Sequence, residues 1–248
     1  MSTVNKIGQS LSGKRVVVLG ASSGIGLATA QAAAGEGANV VMVSGNAERL
    51  EAAWKTLPAG DHRREVVDLS GEENIRVFFE KLGAFDHLVY TAGENLSLNF
   101  VDTVDLTQAR AFFELRYWSA FAAVKYGAPH IRPGGSVSLV GGTASARPAR
   151  GWSLGASICG AMEGFTRALA VELAPIRVNC VVPGVIRTNL WNGMTEADRE
   201  QFYKTVGDAL PVGRVGEASE VAQAFIYVMK QAFGTGQTIT VDGGTVLV

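Results

Sequence analysis

The chain has 248 residues, 47% of them hydrophobic, and a formal net charge of −1. That balance supports a large core and excludes a disordered chain, and the lack of a basic excess argues against any nucleic-acid partner. Met1 to Ser10 is polar and no segment approaches the roughly 20 apolar residues of a membrane span, so no signal peptide and no membrane contact are expected.

From the N-terminus onward, strand and helix patterns alternate. Arg15 to Leu19 is an apolar run ending in glycine, as in a strand buried on both faces. Ile25 to Ala34 is helical, Ala38 to Val43 a second strand, and Glu48 to Lys55 a second helix. Glu65 to Val67 is a short third strand, followed by a helix over Glu72 to Leu82 and a fourth strand over His87 to Tyr90. A long helix from about Thr107 to Gly127 precedes the fifth strand, Val137 to Val140, and another over Gly155 to Glu172 follows it. Arg177 to Val181 is the sixth strand and Thr238 to Val241 the last. No repeat or interdomain linker interrupts this order, so residues 1–248 are expected to form one α/β domain. Its architecture would be a doubly wound, Rossmann-like parallel sheet of about seven strands with helices on both faces.

Gly20-Ala21-Ser22-Ser23-Gly24-Ile25-Gly26 lies where the first strand becomes the first helix. Small residues there let backbone N–H groups approach a pyrophosphate, whose charge the positive end of the helix favours. A bare glycine triplet also suits a tight turn with no ligand, but its place after the first strand favours the nucleotide. The second strand ends Val43-Ser44-Gly45-Asn46, without the Asp or Glu that holds the ribose diol of NAD. Ser44, Asn46 and Arg49 could hydrogen-bond a 2′-phosphate instead, so NADP(H) is expected, with NAD(H) the alternative.

Together with Asp68, Thr91-Ala92-Gly93, Pro183-Gly184, Thr188, Thr235-Gly236-Gln237 and Val241-Asp242-Gly243-Gly244, this turn resembles the short-chain dehydrogenase/reductase family over nearly the whole chain. The resemblance implies that Gly20, Ser22, Ser23, Gly24, Ile25 and Gly26 cradle the pyrophosphate and that Asp68 and Leu69 hold the adenine. Thr91, Ala92 and Gly93 would lie along the ribose, and Pro183, Gly184, Ile186 and Thr188 would frame the nicotinamide. The family's catalytic positions, by the same counting, carry different residues. Gly142 stands for the serine, Gly155 for the tyrosine, Cys159 for the lysine and Arg116 for the asparagine.

A tyrosine acid is worth roughly 10²–10⁴-fold in rate, so simple ketone reduction by the family's usual route should be crippled. Three accounts fit this combination. The chain transfers hydride to an iminium or an activated double bond of a small, possibly bulky molecule; it is a cofactor-binding cyclase or isomerase; or it is a non-catalytic NADP(H)-binding pseudoenzyme. Under the first, Arg116 and Glu94 are the candidate catalytic side chains, because a guanidinium can stabilise charge developing on an activating carbonyl. Equally, the two could form a salt bridge that fills vacated space. Glycine at the serine and tyrosine positions makes room, and Trp118, Trp152 and Trp191 either line it or face a neighbouring subunit.

Cys159 reads as a small buried residue rather than a nucleophile, and His62, His87 and His130 as surface-like, so no metal site is expected. The two cysteines lie within apolar patterns, as in a reduced, cytoplasmic, soluble protein. Surplus apolar residues on the two long helices, among them Phe112, Phe113, Tyr117, Phe121, Met162, Phe165 and Leu169, suggest a homotetramer, or a homodimer, with two-fold interfaces.

Overall fold

Val16 to Leu19 are completely buried because strand β1 (Arg15–Leu19) runs through the middle of a sheet covered on both faces. The computed structural model describes residues 10–93, 96 and 98–248. The other strands are β2 (Asn39–Ser44), β3 (Arg63–Val66), β4 (Phe85–Tyr90), β5 (Ile131–Val140), β6 (Arg177–Pro183), the two-residue β7 (Ile186–Arg187) and β8 (Gly216–Glu217), and β9 (Thr238–Val241). Seven of them pair in parallel in the order β3-β2-β1-β4-β5-β6-β9, and β7 pairs with β8 separately. The seven strands read from the sequence are those of the main sheet.

Alternate residues of β1 feed two different layers. Val17 and Leu19 join Phe79 of α3 (Glu72–Leu82), Ala123 of α5 (Ser119–Gly127) and Met162 of α6 (Ser153–Glu172). Val16 and Val18 join Ala30 of α1 (Gly24–Gly35), Leu50 of α2 (Ala47–Trp54) and Phe225 of α8 (Ala218–Lys230). That alternation is the period of two of a strand whose faces are both covered.

The larger departures from the sequence reading are these. Helices α7 (Glu196–Ala209) and α8 occupy a stretch to which the reading assigned no element. Val221, Phe225 and Met229 of α8 recur at helical spacing and are fully buried, and a capping box of Glu217 and Glu220 starts the helix. β3 lies at 63–66 rather than 65–67, an exposed edge strand with no apolar alternation to fix its register. β5 begins at Ile131 rather than Val137, with an irregularity opposite Phe85 and His87. The long helix before β5 is α4 (Leu106–Phe113), one π-helical turn over Glu114–Trp118, and then α5. Side chains engage two carbonyls of that wider turn: the Tyr90 hydroxyl donates to Leu115 and the Ser119 hydroxyl to Glu114.

His87 also corrects the sequence reading. It is 1% exposed, inside the sheet, with its Nδ1 at 2.9 Å from the Ser136 hydroxyl. Burial pushes its pKa down to about 4, the Arg177 guanidinium and Lys14 add to the fall, and Asp86 opposes it. The folded value lies below the unfolded one, so the unfolded chain binds more protons between pH 6.5 and 4 and stability falls as pH drops through that window. Urea unfolding at pH 7 and pH 5 should show a smaller loss in His87→Asn than in the wild type, by up to about 2 kcal/mol. Equal losses would show that His87 does not carry this dependence.

No helix among the described residues is long and apolar enough to cross a membrane.

Candidate active site

The turn after β1 is shaped by contact with the segments that follow β4 and β6. Gly20 has φ +90°, and a Cβ there would lie 2.6 Å from the Ala92 backbone nitrogen. A Cβ on Gly26 would lie 2.2 Å from the Gly20 carbonyl oxygen and 2.5 Å from Thr91 Oγ1. Thr91 fixes the same junction by donating both its N–H and its hydroxyl to the Leu19 carbonyl. Gly24, with φ +54°, faces the Thr188 side chain. At the start of α1, Ser23 is the N-cap residue but makes no side-chain cap bond, and the first turn has no acidic residue. An uncapped helix start behind glycines fits a pyrophosphate, which would take up the first N–H groups and lie at the positive end of the helix.

The adenosine side is more mixed. Ser44 is buried, and its hydroxyl bonds to Ser22 and accepts from the Asn46 N–H, so it braces the turn. Asn46 caps α2 by accepting from the Arg49 N–H, while the Arg49 side chain is exposed. Gly45 leaves the end of β2 without a carboxylate. Asp68 accepts from the Ser70 hydroxyl and N–H, which hold its pKa below the usual range. Leu69 and Ile186, both expected to touch cofactor, have buried side chains and present only backbone. The Ile186 carbonyl accepts from Trp191 Nε1 at 3.0 Å. Gly184 must be small because a Cβ would lie 2.9 Å from the Asp242 backbone.

The substituted catalytic positions come together. Cys159 Sγ lies 3.0 Å from where a Gly142 Cβ would be, and Gly155 is one turn earlier on α6. Burial pushes the Cys159 thiol pKa up, Arg116 draws it down, Glu163 adds to the rise, and the Ala144 and Ser145 N–H groups lower it. A thiol held neutral in this way is no substitute for a lysine ammonium. Among the described residues, and apart from the helix's own backbone, a Cβ on Gly155 would meet Trp152 Cε3 at 3.8 Å.

The π turn places Arg116 in this group. Its Nη1 would lie 2.9 Å from a Gly93 Cβ, its Cζ sits 4.6 Å from the centre of the Phe112 ring, and its charge acts on Tyr90 as well as Cys159. Glu94, the other expected catalytic residue, lies outside the described residues.

The tryptophans divide. Trp152 and Trp191 pack together at 6.3 Å, whereas Trp118 is 54% exposed beside Tyr117 and Phe121 on the outer face of the helices. Glu163 was missed in the sequence reading. It lies one turn beyond Cys159 on α6, accepts from the Ser145 hydroxyl and bears on the Cys159 thiol, and the four-residue spacing was its only signal. Among the described residues no group of histidine, cysteine or carboxylate side chains could hold a metal ion.

Residues 20–246 match the family model described as enoyl-(acyl carrier protein) reductase. The chain is 35% identical to the short-chain dehydrogenase/reductase ATR9 of Stachybotrys chlorohalonatus, over 95% of this chain and 98% of the relative. A solved small-chain dehydrogenase in complex with NADPH is 35% identical, with a TM-score of 0.82, over 96% of this chain and all of that one. The solved MalC reductase/Diels-Alderase of Malbranchea aurantiaca is 27% identical, with a TM-score of 0.89, over 96% of this chain and 98% of that one.

Proposed function

The chain belongs to the short-chain dehydrogenase/reductase family, and on that premise we propose that it is an NADP(H)-dependent reductase that transfers hydride to an activated double bond. The observation that carries this reading is a half-buried guanidinium, Arg116, set against Gly93 where the tyrosine and lysine acid pair is missing.

When bound, NADPH supplies a hydride. The uncapped start of α1 and the close-packed Gly20 and Gly26 would hold its pyrophosphate, and Thr188 would close the crevice opposite Gly24. With an enone as substrate, hydride adds to the β-carbon and the electron pair of the C=C bond moves to the carbonyl oxygen. Arg116 would donate hydrogen bonds to the resulting enolate oxygen, an interaction stronger in the transition state than in the ground state. A proton from water then completes the α-carbon, and no tyrosine is needed. An iminium also accepts hydride without an acid, but the charge of Arg116 disfavours a bound cation, so the enone is the preferred class. Stopped-flow measurement of NADPH oxidation should show turnover with enones and little with simple ketones. Ketone turnover at the enone rate would overturn the mechanism.

The preference for NADP(H) is supported by the missing carboxylate at Gly45, the exposed Arg49 and the start of α2, although Glu48 in its first turn partly offsets the last. The NADPH-bound relative supports it too. Calorimetry should find NADPH bound roughly tenfold or more tighter than NADH, given one charge-assisted contact to the 2′-phosphate. Equal affinities would refute it.

A cyclase activity is the second reading, supported by the relative described as a reductase/Diels-Alderase. It predicts product formation with NADP⁺ as well as NADPH.

Exposed apolar surface supports a homotetramer. A groove of about 500 Å³ between α5 and α6 is lined by Phe121, Phe165 and Leu169, with exposed Trp118 nearby. Tyr227 on α8, and Phe233 and Leu247 beyond it in the chain, are further exposed apolar side chains. Apolar surface of this kind suits two-fold interfaces. Light scattering at micromolar concentration should give four times the chain mass, and a monomer mass would refute it. The free Cys159 and Cys180 suit the reducing cytoplasm.

A further inference from the structure

We propose that Trp152 determines specificity, and that the substrate is a flat, apolar, multi-ring electrophile that stacks on its indole in the space vacated at Gly155. This rests on the reductase reading above and names its substrate class.

The space is defined by its neighbours. A phenol on Gly155 would project from the first turn of α6, and among the described residues, the helix's own backbone apart, its Cβ would meet Trp152 Cε3 at 3.8 Å. The indole edge therefore lies beside the point from which a tyrosine would project. It is also a rigid wall. Trp152 packs on Trp191 at 6.3 Å, Trp191 packs on Phe202 at 4.7 Å, and Trp191 Nε1 is tied to the Ile186 carbonyl. Trp191 is 5% exposed and anchors the group, whereas Trp152 is half-buried and keeps accessible surface.

The wall adjoins the cofactor crevice. Thr188, whose side chain faces Gly24, begins the short turn that carries Trp191. Leu96, Leu190 and Met194 extend the apolar surface around the two indoles. Cys159 lies one turn beyond Gly155 on α6, and the Arg116 charge acts on its thiol. An apolar wall one helical turn from the Cys159 and Arg116 group matches a fused-ring molecule carrying one activating carbonyl. A small, puckered substrate would leave the indole wet and the vacated volume unfilled.

The test separates binding from chemistry by using protein saturated with NADP⁺, from which no hydride can be transferred. The probes are phenalenone, a planar fused-ring enone, and cyclohex-2-enone, with affinities read by calorimetry. Trp152→Ala should weaken phenalenone about tenfold or more and cyclohex-2-enone by no more than about twofold, while Trp152→Phe retains most of the phenalenone affinity. NADP⁺ affinity should be unchanged in both variants. Gly155→Tyr, which fills the space, should abolish phenalenone binding. Unchanged phenalenone binding in Trp152→Ala would overturn the assignment. So would an equal loss for both probes, or a parallel loss of NADP⁺ affinity, since either would mark Trp152 as a packing residue. Phenalenone that binds as expected but never oxidises NADPH would overturn the reductase reading and leave Trp152 assigned.

Discussion

Arg116→Ala should lower kcat by about 10²-fold or more with an enone substrate, while NADPH affinity stays within about twofold. The expected size follows from what else is present. Gly155 and Cys159 supply neither a phenol nor an ammonium, and Cys159 is kept neutral chiefly by burial. On the proposed mechanism, charge developing on the substrate oxygen is met by the guanidinium beside Gly93. Removing one such donor from a site shielded from water costs roughly 3–4 kcal/mol in other enzymes. Arg116→Lys should recover part of the loss, because it keeps the charge and loses the planar fork. A packing role alone, against Phe112 and Gly93, would lower stability and cofactor binding and leave kcat largely intact. Steady-state kinetics with NADPH titration distinguishes the two, and unchanged turnover would remove Arg116 from the catalytic residues.

Gly26→Ala should be the most damaging change in the cofactor turn. Its Cβ would sit 2.2 Å from the Gly20 carbonyl and 2.5 Å from Thr91 Oγ1. The first of these atoms is backbone, and the second is held by its bond to Leu19, so neither can yield without moving a strand end. Overpacking of this kind costs about 1–3 kcal/mol of stability. Displacing the N–H groups at the start of α1 should also weaken NADPH by roughly tenfold or more. Denaturant unfolding and calorimetry read the two effects separately, and an Ala variant of normal stability and affinity would contradict the packing described here.

The main sheet was legible because its central strands are continuous apolar runs, as in Arg15 to Leu19, and such runs have few other uses in a chain of alternating helices. The tight turn after β1 was legible because glycines at a strand end have a specific steric task. The π turn was not, since it depends on Tyr90, a residue 25 positions away that donates to Leu115. Buried His87 was misread for a similar reason. A histidine beside Asp86 looks like a strand end, but β4 begins at Phe85, and the ring is sheltered by Ser136 of the neighbouring strand. Trp152 and Trp191 were already candidates to line the vacated room, but they are far apart in the chain, so no local pattern announced that they pack on each other and that Trp118 does not join them. Local periodicity thus revealed the sheet and the turn after β1, while the packing around Arg116, Cys159 and Trp152 depends on contacts between distant residues.

Reductive hydride transfer without the tyrosine acid is tested most directly with NADPH deuterated at the transferable position of nicotinamide C4 and phenalenone as acceptor. The product should carry that deuterium at the former β-carbon of the enone, while the proton at the α-carbon comes from water. A protein that binds both NADPH and phenalenone, yet returns the cofactor with its label intact and the enone unreduced, would contradict the account.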